Sequence, residues 1–283
     1  MKRTFISLIA VLALVGAACG SSDDATSGDA GDNVACGVED LALKSAGTLT
    51  VATGEPVFPP WMEDDDPSNG KGFESAIVYA LATEMGISNV EWVRTDFDSA
   101  IAGGEKDYDF NIQQYSITAE RDEIVDFSRP YYSAKQALVA FSAGIVPANA
   151  TIADLKGLRF GAAIGTTSLG YIDDVIKPTT AAAVYDDNVD AKSALEAGQI
   201  DVLVFDLPSA YYITAVEIEG SEIVGILPGL DNAPEELGLL FEEGSDLVAC
   251  VNKALDALDA NGTLGKIETQ WLNQAGDITV IKP

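Results

Sequence analysis

Short apolar runs alternate with stretches of helical periodicity along most of the chain, and this alternation limits its fold more than any other feature. Residues 48–53 form a strand candidate, and residues 73–85 carry apolar side chains at helical spacing. The runs 109–112, 159–163 and 200–205 are further strand candidates, each followed by a helix-start signal. Strands that alternate with helices in this way predict parallel βαβ units and therefore an α/β fold.

Length and charge exclude several classes of protein. The 283 residues leave room for two domains, and two further helices are predicted over residues 245–258 and 264–272. The chain has no histidine, which excludes His-dependent catalytic triads and His-ligated zinc. With 16 basic and 45 acidic residues the net charge is −29, and no basic run could form a nucleic-acid-binding face. We therefore expect no metal, no cofactor and no nucleic-acid partner.

The first 19 residues have the pattern of a signal peptide. Two basic residues precede the apolar run 5–15, and the small residues 16–18 lead to Cys19. The apolar run is too short for a permanent membrane span. Residues 16–19 resemble a bacterial lipobox, although Gly16 stands where leucine is usual. The resemblance implies a lipid on Cys19 and an extracytoplasmic protein held on the cell membrane; an ordinary cleaved signal is the alternative.

The segment after Cys19 is rich in small and acidic residues. Residues 20–33 contain no large apolar side chain, so this stretch cannot offset the entropy of ordering itself. We expect a flexible acidic tether over residues 20–37 and no transmembrane helix after the signal segment.

The other two cysteines, Cys36 and Cys250, allow two interpretations. Outside the cytoplasm an even pair favours a disulfide, which would tie the N-terminal segment to a C-terminal helix. The alternative is two independent buried thiols.

Three predicted strand-to-helix junctions carry chemically notable residues. Ligands collect at such junctions in open parallel sheets. Thr118 is a natural N-cap, which places Arg121 in a first helical turn, where an anion nearby would stabilise it. Residues 165–168 (GTTS) offer N–H groups and hydroxyls at a helix start. Asp206 ends a strand just before a proline suited to begin a helix.

Each junction taken alone has an ordinary structural explanation. Arg121 could be a surface ion-pair partner, residues 165–168 a simple cap, and Asp206 a turn acid. Together they supply a fork for a carboxylate, further N–H donors for it, and an anion for an ammonium group. This combination matches the main-chain ends of a free α-amino acid.

The order of segments resembles the family 3 solute-binding proteins of ABC importers, the polar amino acid receptors, from about Gly47 to Leu272. The residues that carry the resemblance are 47–53 with 58–61, 72–74, 108–109 with 116–121, 125–128 with 130–132, 154–157, 165–168, 197–201 with Asp206, and 261–263. Eight such groups in the same order make the resemblance specific.

The resemblance implies a two-lobed periplasmic-binding-protein fold of type II with two crossover hinge strands. The first lobe would comprise residues 38–137 and 233–283, and the second residues 138–232. The hinges would lie near residues 136–139 and 229–235. Ligand bound to both lobes would favour the closed form, which the permease recognises.

The resemblance also assigns ligand-binding roles residue by residue. Arg121 would bind the α-carboxylate, helped by the main-chain N–H groups of Ser116 and Thr167, which Thr166 and Ser168 flank. Asp206 would bind the α-ammonium, with the Ser116 hydroxyl and the Gln114 carbonyl contributing. Phe58 would stack on the ligand side chain, with Glu55 beside it.

Three residues depart from the family pattern and bear on specificity. Gln113 and Gln114 stand where small residues are usual, and Tyr115 stands where methionine or leucine is frequent. Two amides and a phenol favour a polar ligand side chain, with glutamine, glutamate or asparagine preferred. Alternatively, Gln113 faces the lobe core or solvent.

The function implied is that of a monomeric binding lipoprotein that captures a polar amino acid and delivers it to an ABC permease. Its contact with the membrane would be through the lipid alone. A cyclohexadienyl-dehydratase-like enzyme on the same fold is the main alternative, and a receptor that signals through a separate membrane protein is another. Against the enzyme stands the absence of an acid that could be assigned to proton transfer; a raised carboxyl pKa in the cleft would favour it.

Overall fold

The computed structural model describes residues 35–229, 235–272 and 278–283. The signal segment, Cys19 and most of the expected tether lie outside these residues, and so does most of the expected hinge 229–235. The described residues belong to one compact unit.

Twelve strands and eight α-helices are found in the described part of the chain. The strands are β1 (Thr48–Thr53), β2 (Asn89–Arg94), β3 (Phe110–Asn111), β4 (Val125–Phe127), β5 (Tyr132–Ala134), β6 (Gln136–Ala140), β7 (Phe160–Ala163), β8 (Ala183–Tyr185), β9 (Val202–Asp206), β10 (Glu222–Ile226), β11 (Glu235–Leu237) and β12 (Leu240–Glu242). The helices are α1 (Phe73–Glu84), α2 (Phe97–Ile101), α3 (Ala119–Asp122), α4 (Thr167–Tyr171), α5 (Asn188–Glu196), α6 (Leu207–Tyr212), α7 (Leu247–Ala260) and α8 (Thr263–Trp271). Wider helical turns extend α4 over Ile172–Ile176 and α6 over Ile213–Glu217.

The strands form two five-stranded sheets, each at the centre of one lobe. The first sheet has the order β2-β1-β3-β12-β4, and the second has the order β10-β6-β9-β7-β8. The pairs β1–β2, β1–β3, β7–β8 and β7–β9 are parallel, as the alternation predicts. Antiparallel neighbours complete both sheets: β12 and β4 in the first, β6 and β10 in the second. The two-lobed α/β architecture is therefore confirmed.

Helices cover the sheets because each carries an apolar face that must be buried. In the first lobe α1, α7 and α8 pack on one another over a core that contains Leu49, Ile77 and Leu255. In the second lobe one sheet face, which carries Phe160, packs against Ile172, and the other face packs against helices α5 and α6. Each lobe therefore has its own hydrophobic core.

A two-stranded ribbon of β5 and β11 lies beside the crossing between the lobes. The strands are antiparallel, and Glu235 is paired with Ala134. Ala134 and Leu237 belong to the core of the first lobe. Gln136, two residues after β5 ends, already pairs with Asp206 in the second sheet. The chain therefore enters the second lobe two residues earlier than the expected boundary at residue 138.

The C-terminal residues also differ from the expected division. The resemblance places residues 233–283 in the first lobe, but Ile281 is buried in the core of the second. Val280 pairs with Ile226, and the Lys282 N–H donates to the Ala150 carbonyl at 2.9 Å. Residues 278–283 therefore belong to the second lobe, where the apolar Ile281 side chain finds a buried position.

The disulfide between Cys36 and Cys250 is present, with an S–S distance of 2.08 Å. Cys250 lies on the buried face of α7, so the bond fastens the first described residues to the first lobe. The interpretation as two independent thiols is wrong.

Among the described residues, no helix combines the length and the hydrophobicity that a membrane crossing requires.

Candidate functional site

The loops that follow β3, β7 and β9 meet around one cavity of about 410 Å³ between the lobes. All but two of the predicted ligand-binding residues line it: Glu55, Phe58, Gln113, Gln114, Ser116, Thr166, Thr167, Ser168 and Asp206. The exceptions are Arg121 and Tyr115, whose side chains lie behind the cavity wall. Residues far apart in the sequence are thus brought to one cleft by the two sheets.

Local capping chemistry builds the three junctions as predicted. The Thr118 hydroxyl accepts a hydrogen bond from the Arg121 N–H at 3.2 Å, which starts α3. Thr166 caps α4 in the same way. Pro208 stands in the first turn of α6, directly after Asp206 ends β9. Each junction therefore presents its polar residue at the carboxyl end of a strand.

Arg121 links the two lobes behind the cavity. Its side chain is 7% exposed. Nη1 donates to the Ser116 carbonyl at 2.7 Å, and Nη2 donates to the Gly165 carbonyl at 2.8 Å. The guanidinium also lies 5.7 Å from the centre of the Phe97 ring. Burial lowers the pKa of Arg121, but a guanidinium stays protonated at any physiological pH. These bonds fix the cation and leave other N–H donors of its fork for an anion.

Two main-chain N–H groups lie near Arg121 without a partner in the described residues. The bridge between Ser116 and Leu237 is made by the N–H groups of Ile117 and Gly238, which leaves the Ser116 N–H unused. Thr167 is the first residue of α4, and the N–H at that position has no intrahelical acceptor. Both N–H groups could therefore bind a carboxylate.

A carboxylate from β11 holds the hydroxyls of the same two residues. Glu235 Oε2 accepts from Ser116 Oγ at 2.7 Å and from Thr167 Oγ1 at 2.8 Å. Its Oε1 accepts from Gln136 Nε2 at 2.7 Å. Glu235 was not predicted as a site residue, because nothing in the sequence distinguishes it from its exposed neighbour Glu236. The Ser116 hydroxyl thus donates its proton to Glu235, while its oxygen can still accept a hydrogen bond from an ammonium group.

Asp206 faces Arg121 from the second lobe but makes no bond to it. Within the described residues no side chain or N–H group donates a hydrogen bond to the Asp206 carboxylate. Burial raises the pKa of Asp206 to about 8; repulsion from Glu235 and Glu74 adds to the shift, and Arg121 opposes it. A ligand cation at this carboxylate would oppose the shift, because an opposite charge favours the ionised form.

Glu74 is a second buried carboxyl group in the cavity wall, and it was not predicted as a site residue. Its side chain is 0% exposed. It accepts hydrogen bonds from the Tyr131 hydroxyl, the Gln114 side chain and, at 2.9 Å, the Gln114 N–H. Burial raises its pKa to about 7, against these hydrogen bonds. A Cβ at Gly72, just before α1, would lie 2.4 Å from the Trp61 carbonyl, so glycine allows the close approach that positions Glu74.

The three residues expected to set specificity have different roles. Tyr115 does not reach the cavity, contrary to the prediction that it contacts the ligand. Its side chain is 0% exposed, stacks on Phe97 with ring centres 4.6 Å apart, and donates a hydrogen bond to Gln113 Oε1 at 3.0 Å. The Gln114 side chain is engaged by Glu74, and its backbone has a φ of 52°. Of the two amides and the phenol, only the Gln113 NH₂ group lines the cavity without a described partner.

Phe58 lines the cavity and also contacts the second lobe. Lys192 Nζ lies 4.3 Å from the centre of the Phe58 ring and forms a salt bridge of 2.7 Å with Glu217. Trp61 Nε1 donates to Ser209 Oγ across the cleft at 2.8 Å. Lys192 was not predicted, because a lysine on a helix gives no signal of a ring in the other lobe.

The charge of the cavity wall is strongly one-sided. Its acidic residues are Glu55, Glu74, Asp96, Asp98, Asp186, Asp187 and Asp206, and no described lysine or arginine belongs to the wall. No group of three or more potential metal-ligating side chains is arranged to hold a metal ion among the described residues. The wall therefore favours ligands that carry positive charge.

Comparison with known families assigns the chain. Residues 49–274 match the family described as bacterial extracellular solute-binding proteins, family 3. The chain is a family 3 solute-binding protein. Members of this family work outside the cytoplasm, so the extracytoplasmic location expected from the sequence is confirmed.

Three relatives illustrate the similarity of this solute-binding protein to known proteins. It is 30% identical to the L-arginine-binding protein of Pseudomonas aeruginosa, over 82% of this chain and 94% of the relative. The structure of an ancestral arginine-binding protein bound to glutamine has a TM-score of 0.67 and 32% identity, over 81% of this chain and 99% of that one. The third is the ancestral amino acid-binding protein AncCDT-1, a precursor of cyclohexadienyl dehydratase, with a TM-score of 0.66 and 28% identity, over 80% and 95% of the two chains.

The comparisons also decide between a binding protein and an enzyme. All three relatives are described as amino acid-binding proteins, including the dehydratase precursor. Burial raises the pKa of both Glu74 and Asp206, and repulsion from Glu235 and Glu74 adds to the shift at Asp206. This solute-binding protein is not an enzyme.

Proposed function

We propose that this solute-binding protein captures a polar L-amino acid between its lobes and delivers it to the permease of an ABC importer. One observation supports the proposal: two N–H groups without described partners and the Asp206 carboxylate line a single cavity, and Arg121 lies behind its wall, bonded to the carbonyls of Ser116 and Gly165. These groups are complementary to the carboxylate and the ammonium of an α-amino acid.

The carboxylate end of the ligand is assigned to Arg121 and to the N–H groups of Ser116 and Thr167. Arg121 is held rigidly by two carbonyl groups, so little side-chain entropy is lost when an anion binds. The α4 N-terminus adds the positive end of its dipole. We expect Thr166 and Ser168 to support this end through the shape of the turn.

The ammonium end is assigned to Asp206, with the Gln114 carbonyl beside it. Among the described residues no cation forms a salt bridge with Asp206, although Arg121 acts on it from a distance, and an ammonium group would supply a bonded partner. Ser116 and Asp206 lie in different lobes, so a ligand bound by both favours the closed arrangement. The ligand can shift the equilibrium toward the closed state only by as much as its binding free energy differs between the closed and open states.

The side-chain preference is argued from the rest of the wall. The sequence favours glutamine, glutamate or asparagine as the ligand. Glutamate is the least suited of the three, because the cavity wall carries seven acidic residues and no described lysine or arginine. The Gln113 NH₂ group can donate to a side-chain carbonyl, as in glutamine. The same acidic wall also favours a cationic side chain, so arginine joins glutamine as a candidate ligand. Phe58 would stack on either side chain.

The remaining parts of the chain are assigned to anchoring and to the lobes. We propose that a lipid on Cys19 holds the mature protein at the membrane and that residues 20–37 form the tether. We place the first lobe at residues 38–135 and 233–272, and the second at residues 136–232 together with 278–283. We further propose that the protein works as a monomer.

A thermal-shift screen tests the proposed function. The chain from Gly20 is unfolded and refolded to remove copurified ligand, then heated with each of the twenty amino acids and with polyamines and organic acids. A ligand at a hundred times its dissociation constant stabilises the protein by about 2.7 kcal/mol. We expect glutamine, arginine or a close analogue to give the largest shift and glutamate to give a smaller one. A shift with carboxylic acids alone would contradict the proposal.

A further inference from the structure

The backbone of Gln114 has an uncommon conformation at the cavity wall. Its φ of 52° lies in the left-handed region, which few residues other than glycine adopt. The described part of the chain has five non-glycine residues with positive φ, and Gln114 is the one among them that lines the cavity. Its carbonyl accepts no hydrogen bond from the described residues. A backbone in a strained conformation persists only where surrounding contacts hold it.

The Glu74 carboxylate supplies these contacts. Its Oε1 accepts a hydrogen bond from the Gln114 N–H at 2.9 Å, and its Oε2 accepts one from the Gln114 side-chain amide. In the ionised form of Glu74 both bonds are charge-assisted. One carboxylate thus binds the main chain and the side chain of a single residue, and a shorter side chain at position 114 could not make the second contact.

Glu74 is itself held from the other side. It lies in the first turn of α1 and is 0% exposed, and its Oε1 accepts a further hydrogen bond from the Tyr131 hydroxyl. Tyr131 is 6% exposed, and its ring packs against Phe73 in the core of the first lobe. Glu74, Tyr131 and Gln114 all belong to the first lobe, so their contacts with one another do not depend on where the second lobe lies.

We propose that Glu74 is a positioning residue that holds Gln114 in its left-handed conformation and thereby presents the Gln114 carbonyl to the ammonium group of the ligand. The part that concerns the ligand rests on the proposed function, whereas the holding of Gln114 does not. Two buried carboxyl groups of the wall then have different tasks. Three donors satisfy Glu74, whereas Asp206 has no bonded donor among the described residues, so the ammonium binds Asp206 and the Gln114 carbonyl.

Hydrogen exchange of the Gln114 amide, followed by ¹⁵N NMR in the ligand-free chain from Gly20, tests the holding of the backbone. Glu74→Ala removes both acceptor atoms, and Glu74→Gln keeps one of them. The matched control Ser75→Ala removes a buried hydrogen bond to the Pro67 carbonyl from the same turn of α1 without a change at Gln114. We expect exchange at least about ten-fold faster in Glu74→Ala than in the wild type or Ser75→Ala, with Glu74→Gln between. Equal rates in Glu74→Ala and Ser75→Ala would overturn the proposal.

Calorimetric titration with L-arginine and guanidinovaleric acid tests the consequence for the ligand. The analogue lacks only the ammonium group, so general damage to the site lowers both affinities, whereas a displaced Gln114 carbonyl lowers that of arginine alone. We expect Glu74→Ala to lower the ratio of the two affinities by about ten-fold and Ser75→Ala to leave it unchanged. L-Glutamine and its deaminated analogue serve in the same way if glutamine is the ligand. An unchanged ratio in Glu74→Ala would contradict the proposed role.

A second variant keeps the test available if Glu74→Ala does not fold, which urea unfolding verifies. The double variant Glu74→Met/Tyr131→Phe removes the acceptors and the buried hydroxyl together and nearly keeps the volume, so it leaves no unpaired phenol. The same faster exchange and the same lower ratio are expected, and wild-type values for both would overturn the proposal. A wild type that binds neither amino acid would contradict the proposed function, but the exchange comparison needs no ligand and stays separately readable.

Discussion

Binding of an amino acid should release a proton from Asp206, and this makes affinity depend on pH. The Asp206 carboxyl has a pKa of about 8 in the ligand-free protein, raised by burial and by Glu235 and Glu74. A ligand ammonium binds the ionised form, so the apparent affinity scales with the ionised fraction. For a pKa of about 8 that fraction is about 0.01 at pH 6 and about 0.5 at pH 8, so affinity should rise about fifty-fold.

Isothermal titration calorimetry at pH 6, 7 and 8 measures this rise directly. Titrations at pH 7 in buffers with different ionisation enthalpies should report about 0.9 proton released per ligand, the protonated fraction for a pKa of about 8. Asp206→Asn is the matched variant: it should bind more weakly at pH 8 and show little change in affinity between pH 6 and 8. A wild type with pH-independent affinity and no proton release would refute the assignment of the ammonium to Asp206.

Three substitutions test other parts of the account. Arg121→Lys cannot keep both carbonyl contacts and a two-pronged grip on a carboxylate, so calorimetry should show affinity lower by at least about ten-fold; near-wild-type binding would mean that the carboxylate site is wrongly assigned. The double variant Cys36→Ser/Cys250→Ser opens a loop with a sequence separation of 214 and should lower the free energy of unfolding by up to about 5 kcal/mol, measured with urea. An unchanged unfolding midpoint would show that the disulfide does not restrict the unfolded chain. Phe58→Ala should weaken ligand binding by about 1 kcal/mol through lost stacking, while Lys192→Gln should leave the stacking on the ligand intact. An equal loss of affinity in both variants would show that the Phe58 ring contacts Lys192 in the other lobe and not the ligand.

Features encoded by neighbouring residues could be predicted from the sequence. The caps at Thr118 and Thr166 and the start of α6 at Pro208 depend on hydrogen bonds and backbone angles within a few residues. The alternation of strands and helices gave the α/β class, because each period follows from local geometry. The convergence of Ser116 and Asp206 on one cavity followed from the resemblance to the family, since strand order is not a local property.

Features that depend on distant partners could not be predicted. Tyr115 has a polar group but is covered by Phe97, and a sequence shows no such cover. The Gln114 side chain donates a hydrogen bond to Glu74, which is 40 residues away in the sequence. Glu235 acquires its role only when β11 pairs with β5 beside the crossing. In the same way Ile281 reaches the second lobe through the path of the chain, which its apolar character alone does not specify.

The central claim is that one ligand bridges Arg121 and Asp206 through its carboxylate and its ammonium group. Calorimetric titration with arginine, agmatine and guanidinovaleric acid tests it most directly, because the two analogues each lack one of these groups; glutamine and its corresponding analogues form a second series. The account predicts that removal of either group from the amino acid that binds weakens binding by at least about thirty-fold. An analogue that binds as tightly as the amino acid itself would contradict it.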